Sequence, residues 1–286
     1  MSDRIALVTD STVDLPLERR KELGITMVPL QLDFEGQTYN DWVDLDPADF
    51  YERYRSSDSL ATTSQPAPQA FKEVYSRLLD EGREIISIHL SSAISGTHQS
   101  ATLALKALGS DRIHLVDSRQ GSIGATLIAW RAANAIAKGM DVEGVLKQVD
   151  DAIDRTMLFF CVEELTYLHK GGRIGLASQL LGSMINIKPI LNFKNGLIAP
   201  WAKVRGDKQV DSRILTAMEA QVKGPIDVAW VHAANSARVE TLVKKVRERF
   251  EVRKEFGGCL GAVIGSHVGP GAWGIAFQPV VDLEAD

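Results

Sequence analysis

The chain has 286 residues, 45% hydrophobic and 24% charged, with net charge −5 and pI near 5.7. That length and apolar content suit one large domain or two medium ones, each with a real core. The acidic balance excludes nucleic acid as the main partner, because phosphate binding needs a concentrated basic face.

The chain opens Met1-Ser2-Asp3-Arg4 and leads directly into Ile5-Ala6-Leu7-Val8. That reads as a strand start, not as a signal peptide. No segment reaches the roughly 18 apolar residues expected of a membrane span. Residues 5–9 form the first strand, and 15–23 a helix entered through Asp14 and Pro16. A second strand covers 27–34, followed by a Glu35-Gly36 turn. Asp46-Pro47 opens another helix, with Pro at a tolerated first-turn position. Residues 66–79 are helical, 84–90 a buried strand, and a Ser/Gly loop leads to a helix ending at Leu108. Residues 113–116 are a strand and 121–138 a long apolar helix. Strands alternating with helices predict a parallel sheet covered on both faces.

A helix at 142–153 and a strand at 157–162 follow, and the domain boundary is placed near residue 155. Residues 1–155 are then a Rossmann-like α/β domain, and 156–286 an α/β domain with a mixed sheet. In the second half, 187–193 and 197–204 flank Asn195-Gly196, the strongest short hairpin signal. Residues 207–222 are a helix, 227–233 a strand and 237–250 an amphipathic helix. The tail at 262–277 reads as two strands around a Gly/Pro loop. The two cysteines, Cys161 and Cys259, sit alone in apolar stretches. That fits buried thiols in a reducing cytoplasm better than a disulfide or a metal site.

Four polar segments can carry chemistry. Thr62-Thr63-Ser64-Gln65-Pro66 precedes a helix. Ser64 suits a helix cap, and Thr63 or Ser64 equally suits donation to an anion at the helix N-terminus. Ser91-Ser92-Ala93-Ile94-Ser95-Gly96-Thr97 follows a buried strand. Ligands of open parallel sheets bind outside such strand ends, and small residues let backbone approach them closely. His267 stands among glycines in Gly265-Ser266-His267-Val268-Gly269-Pro270-Gly271. Tyr167-Leu168-His169-Lys170-Gly171-Gly172-Arg173 reads either as a helix C-terminus or as a display of Arg173 toward a phosphate or partner carboxylate. The basic turn around Arg205 reads as a solvated loop.

In this order and at these separations, the segments from Val8-Thr9-Asp10-Ser11 through Gly269-Pro270-Gly271 resemble the DegV family of bacterial fatty-acid-binding proteins, the acyl carriers of fatty acid kinase systems. The resemblance covers essentially the whole chain. It implies two α/β domains around a buried long-chain fatty acid such as palmitate, stearate or oleate, with no cofactor and no chemistry of the chain's own. It further implies that Thr63 and Ser95 hold the carboxylate, with Ser92 and Ser64 next, and that His267 joins the polar network. Arg173 and Arg205 would face a fatty acid kinase subunit, which phosphorylates the bound acid on the way to phospholipid synthesis. Such a carrier is cytoplasmic and needs at most transient membrane contact. Ala67 stands where the family often has Ser, and His98 where Tyr is common.

The energetics agree. About sixteen carbons, at roughly 0.8 kcal/mol per buried methylene, offer on the order of 12 kcal/mol before association costs. A buried carboxylate without donors would forfeit several kcal/mol of that. The main alternative is a serine hydrolase acting on a lipid ester through Ser95 and His267. It lacks a Gly-x-Ser-x-Gly elbow and an assigned acid. A nucleotide-binding kinase subunit lacks a phosphate loop. A pure interaction module leaves the serine-rich loop unexplained.

Overall fold

The computed structural model describes residues 4–57, 59–182 and 187–281. The opening Met1–Asp3, read above as the lead into a strand, lies outside the described residues. Among the described residues no helix is long and apolar enough to cross a membrane.

Strands β1 (Ile5–Asp10), β2 (Ile25–Val28), β6 (Glu84–His89) and β7 (Ile113–Asp117) form a parallel sheet in the order β2-β1-β6-β7. β1 is buried along its whole length, as a strand covered on both faces must be. One cover is α3 (Pro68–Asp80) with α4 (Thr97–Leu108). The other is α5 (Ile123–Ala137), apolar nearly all round and correspondingly buried. α6 (Val142–Arg155) packs outside α5, with a clean apolar face toward it.

The C-terminal part holds a mixed six-stranded sheet. It contains β8 (Met157–Cys161), β9 (Lys188–Lys194), β10 (Leu197–Val204), β11 (Ile226–His232), β12 (Val252–Cys259) and β13 (Trp273–Pro279). The order is β10-β9-β8-β13-β11-β12, with β11 and β12 parallel and the other pairs antiparallel. Helices α8 (Asp207–Gln221) and α9 (Ser236–Arg249) cover one face. α5 packs against β11 and β13 on the other face while also touching β1. A single apolar cluster therefore runs from Ile5 through α5 to Ala276. Cys161 and Cys259 are both free thiols.

Two readings of the sequence are corrected, and one strand not read from it is added. The stretch 27–34 is two strands, because Pro29 has no N–H to continue the ladder. β2 stays in the parallel sheet, while β3 (Gln31–Phe34) joins β4 (Gln37–Asn40) and β5 (Thr62–Ser64) in a small antiparallel sheet. Residues 252–259, charged and glycine-containing, form the edge strand β12; charges are tolerated and protective on an edge. Ala262–Val268 is a helix, α10, not a strand. Its β-branched residues favour a strand, but buried acceptors override the preference. Asp14 accepts from Gly261 N–H at 2.9 Å and Asp41 from Val263 N–H at 3.3 Å. Gly269, at φ 79°, then ends the helix.

Candidate functional site

The loop after β6 is fixed from below by a buried polar row. Asp10 accepts from Leu90 N–H at 3.0 Å and contacts His89 Nδ1 at 3.1 Å. His89 Nε2 meets Ser87 Oγ at 2.8 Å, and Ser87 meets Tyr75. The hydrogen bond and charge of His89, then the Thr12 hydroxyl and the Leu90 N–H, hold the Asp10 carboxyl below its usual range despite full burial. Ser91 anchors the loop from the side: its N–H donates to Gln120 O and its hydroxyl to Gly196 O. Gly196, at φ 77°, is the tip of the β9–β10 hairpin, where any Cβ would strike Ser91 Oγ. The predicted Asn-Gly turn thus docks the C-terminal sheet onto the loop that carries Ser95.

Above this loop lies a cavity of about 810 Å³, its opening included. Its wall is overwhelmingly apolar. Leu90, Ile94 and Phe193 stand near the loop and hairpin; Ile123, Leu158, Phe160 and Val231 come from α5 and the large sheet; Leu260, Val263, Ile264 and Val268 come from α10 and its approach. Most of the polar side chains in the wall are Thr63, Ser95, Arg173 and His267; Ser122 adds one more, at the start of α5.

Thr63 sits on β5, opposite Leu32, and its Oγ1 lies 2.8 Å from His267 Nε2. Burial, then the nearby Arg173 charge, push the His267 pKa down to about 4, so the ring is neutral at pH 7. Its Nδ1 has no hydrogen-bond partner. A proton on Nε2 therefore donates to Thr63 Oγ1 and leaves the Thr63 hydroxyl proton to point elsewhere. Ser95 Oγ accepts from Thr97 N–H at 3.3 Å and lies 2.9 Å from Thr97 Oγ1. Arg173 donates from Nε to Ile94 O and from Nη1 to Gly171 O. Two of its five N–H groups are thus spent on orientation. Gly171 is required here because a Cβ would collide with His267 Nδ1. The wall therefore combines three hydroxyls, of Thr63, Ser95 and Ser122, with a neutral imidazole and one guanidinium, a set suited to one carboxylate.

A family model described as that of the uncharacterised DegV family matches residues 4–280. The chain belongs to the DegV family. A DegV domain-containing protein of Halalkalibacterium halodurans is 38% identical over 277 residues, 96% of this chain and 98% of that protein. The structure of a DegV family protein from Thermus thermophilus, described as showing fatty acid binding, has a TM-score of 0.92 and 35% identity, over 97% of this chain and 100% of that one. DegV of Bacillus subtilis, described as a fatty acid binding protein, has a TM-score of 0.85 and 35% identity, over 96% of this chain and 99% of its own.

Of the residues singled out in the sequence, this DegV chain brings Thr63, Ser95, His267 and Arg173 to one cavity. Ser92 is exposed and its hydroxyl is committed to Asp117. Ser64 follows Thr63 on β5, and alternation along the strand turns it off the cavity wall. It does not cap α3, whose N-cap is Ala67. Arg205 lies exposed in the turn before α8, outside the cavity. Arg173, expected on a partner-facing surface, is half-buried in the wall instead, held by the Ile94 and Gly171 carbonyls. The hydrolase alternative fails on geometry: His267 pairs with Thr63, not Ser95, and its Nδ1 contacts no acid. A serine–histidine–aspartate row does exist in this DegV fold, at Ser87, His89 and Asp10, but all three are fully buried. Its role is to hold the loop. The apolar wall residues escaped the sequence reading, since an apolar residue facing a cavity carries the same pattern as one facing a core.

Proposed function

We propose that this protein binds one long-chain fatty acid, such as palmitate, stearate or oleate, with its tail in the apolar cavity and its carboxylate at Thr63, Ser95, His267 and Arg173. The observation that carries this reading is an apolar cavity of about 810 Å³, its opening included, whose polar groups include the Thr63 and Ser95 hydroxyls and the Arg173 guanidinium. The fatty acid binding described for the Thermus thermophilus and Bacillus subtilis proteins supports it. Arg173 supplies the charge that a buried carboxylate needs, and the hydroxyls supply directional donors. The protein is a carrier and not a catalyst: it presents the acid to a cytoplasmic kinase subunit, with exposed Arg205 among the contacts, and carries acid or acyl phosphate onward. Residues 1–155 and 156–286 act as its two domains, with the guest held between their sheets.

The test is stripping the purified protein of lipid, reloading it with palmitate and weighing the intact complex by native mass spectrometry. One acid per chain is expected. Protein that remains empty at saturating palmitate refutes the reading.

A further inference from the structure

A second cavity of about 430 Å³, its opening included, adjoins the first, and Ile123 is in the wall of both. On the near side Ile123 faces the apolar chamber with Leu158, Phe160 and Gly274. On the far side the wall changes character: Asp14, Arg19 and Glu255 stand among Leu15, Trp230 and Phe256. Gly274 lies beside it: a Cβ there would come 3.2 Å from Phe160 Cβ and make an ordinary 3.6 Å contact with Ile123 Cδ1.

The partition is held rigidly. Ile123 is the first residue of α5 and is 2% exposed. The preceding Ser122 has φ 50° and ψ −134°, a conformation a non-glycine residue keeps only where its surroundings impose it. Gly124 on the other side is pressed against Gln120, where a Cβ would fall 2.8 Å from its Oε1. With both neighbours constrained, the main chain at Ile123 cannot shift aside for a guest.

Resting on the fatty-acid reading above, we infer that Ile123 is the stop that sets acyl chain length, dividing an apolar chamber that accepts the tail from a charged chamber that lies beyond its reach. A tail that fits ends against the Ile123 side chain. A longer tail must either displace a fixed residue or leave methylenes outside. Shortening residue 123 joins the chambers, and each further methylene then seated multiplies relative affinity about fourfold.

The experiment offers delipidated protein an equimolar series of saturated acids from short to very long and quantifies the retained acids by mass spectrometry. Wild type should show a sharp upper cut-off. In Ile123→Ala the cut-off should move to longer chains, the first rejected acid gaining about fourfold per added methylene seated. In Ile123→Phe it should move to shorter ones. Ile123→Val serves if the alanine variant does not fold, with the same direction and a smaller shift. Variants that retain acids with the wild-type cut-off overturn the inference and leave fatty acid binding standing. A wild type that retains no acid of any length overturns both.

Discussion

Thr63→Val tests the head group directly. The substitution keeps the shape of the side chain and suits a strand, so the β5 ladder opposite Leu32 should survive. It removes one hydroxyl with two partners. One is His267 Nε2, 2.8 Å away on a ring that is neutral because burial and Arg173 lower its pKa to about 4. The other, in the proposed complex, is the ligand carboxylate. Valine leaves the imidazole N–H and one carboxylate lone pair without a mate in a largely apolar chamber. An unsatisfied buried group costs about 1–3 kcal/mol, so Kd for palmitate should rise roughly 5- to 150-fold. Titration calorimetry on delipidated protein measures this, with circular dichroism to establish that the fold is kept. A folded Thr63→Val protein that binds palmitate within about twofold of wild type removes Thr63 from the head-group site.

Three further outcomes follow from the same geometry. Gly171→Ala puts a methyl into His267 Nδ1 and 3.1 Å from Tyr167 O, so it should push the ring off Thr63 and weaken palmitate binding about as much as Thr63→Val; unchanged calorimetry would show that the ring tolerates displacement. Ser92→Ala removes a hydroxyl bonded to Asp117 on the exposed side of the loop, so palmitate affinity should hold within about twofold, and a large loss would bring Ser92 back into the site. Burial, and after it the neighbouring Asp41, raise the Asp14 carboxyl from 3.8 to about 7, which favours the fold at low pH; that contribution is lost as pH climbs from about 4 through 7. Asp14→Asn should therefore gain stability relative to wild type between about pH 4 and 7, by up to about 1.4 kcal/mol per pH unit in that window. Urea unfolding at both values reads it, and parallel pH curves for the two proteins would refute it.

The legible parts of this molecule were those whose signal is local. The alternation of strands and helices in the first half, the Asn195-Gly196 hairpin and the long apolar α5 all follow from periodicity and turn chemistry. Thr63, Ser95 and His267 were found because hydroxyls and an imidazole between strands and glycines are conspicuous. What escaped depends on distant contacts. α10 is a helix because Asp14 and Asp41, more than two hundred residues upstream, accept from its first N–H groups. Thr63 lies on a strand because β3 left the parallel sheet at Pro29 and offered it an edge. Arg173 looked like the charged end of a helix, and only the Ile94 carbonyl from the far loop turns it into the cavity. No window along the sequence contains both members of any of these pairs.

The cavity also bears on stability. Residues from the parallel sheet's loops, the large sheet, α5 and α10 all face the same space, so an empty chamber leaves each of these layers short of packing partners on one side. A guest that fills it is in effect a missing piece of core and binds only the folded chain. At a free palmitate concentration 100 times Kd, mass action stabilises the fold by about 2.7 kcal/mol. For a chain of this size each kcal/mol raises Tm by about 2–4 °C, so saturation should lift it by roughly 5–10 °C. The contribution of the tail is separable from that of the head group: octanoate offers the same carboxylate on a chain of about half the carbons, so at equal concentration it should lift Tm far less. Equal shifts from octanoate and palmitate would mean that the polar cluster alone holds the guest and that the apolar wall is ordinary interior.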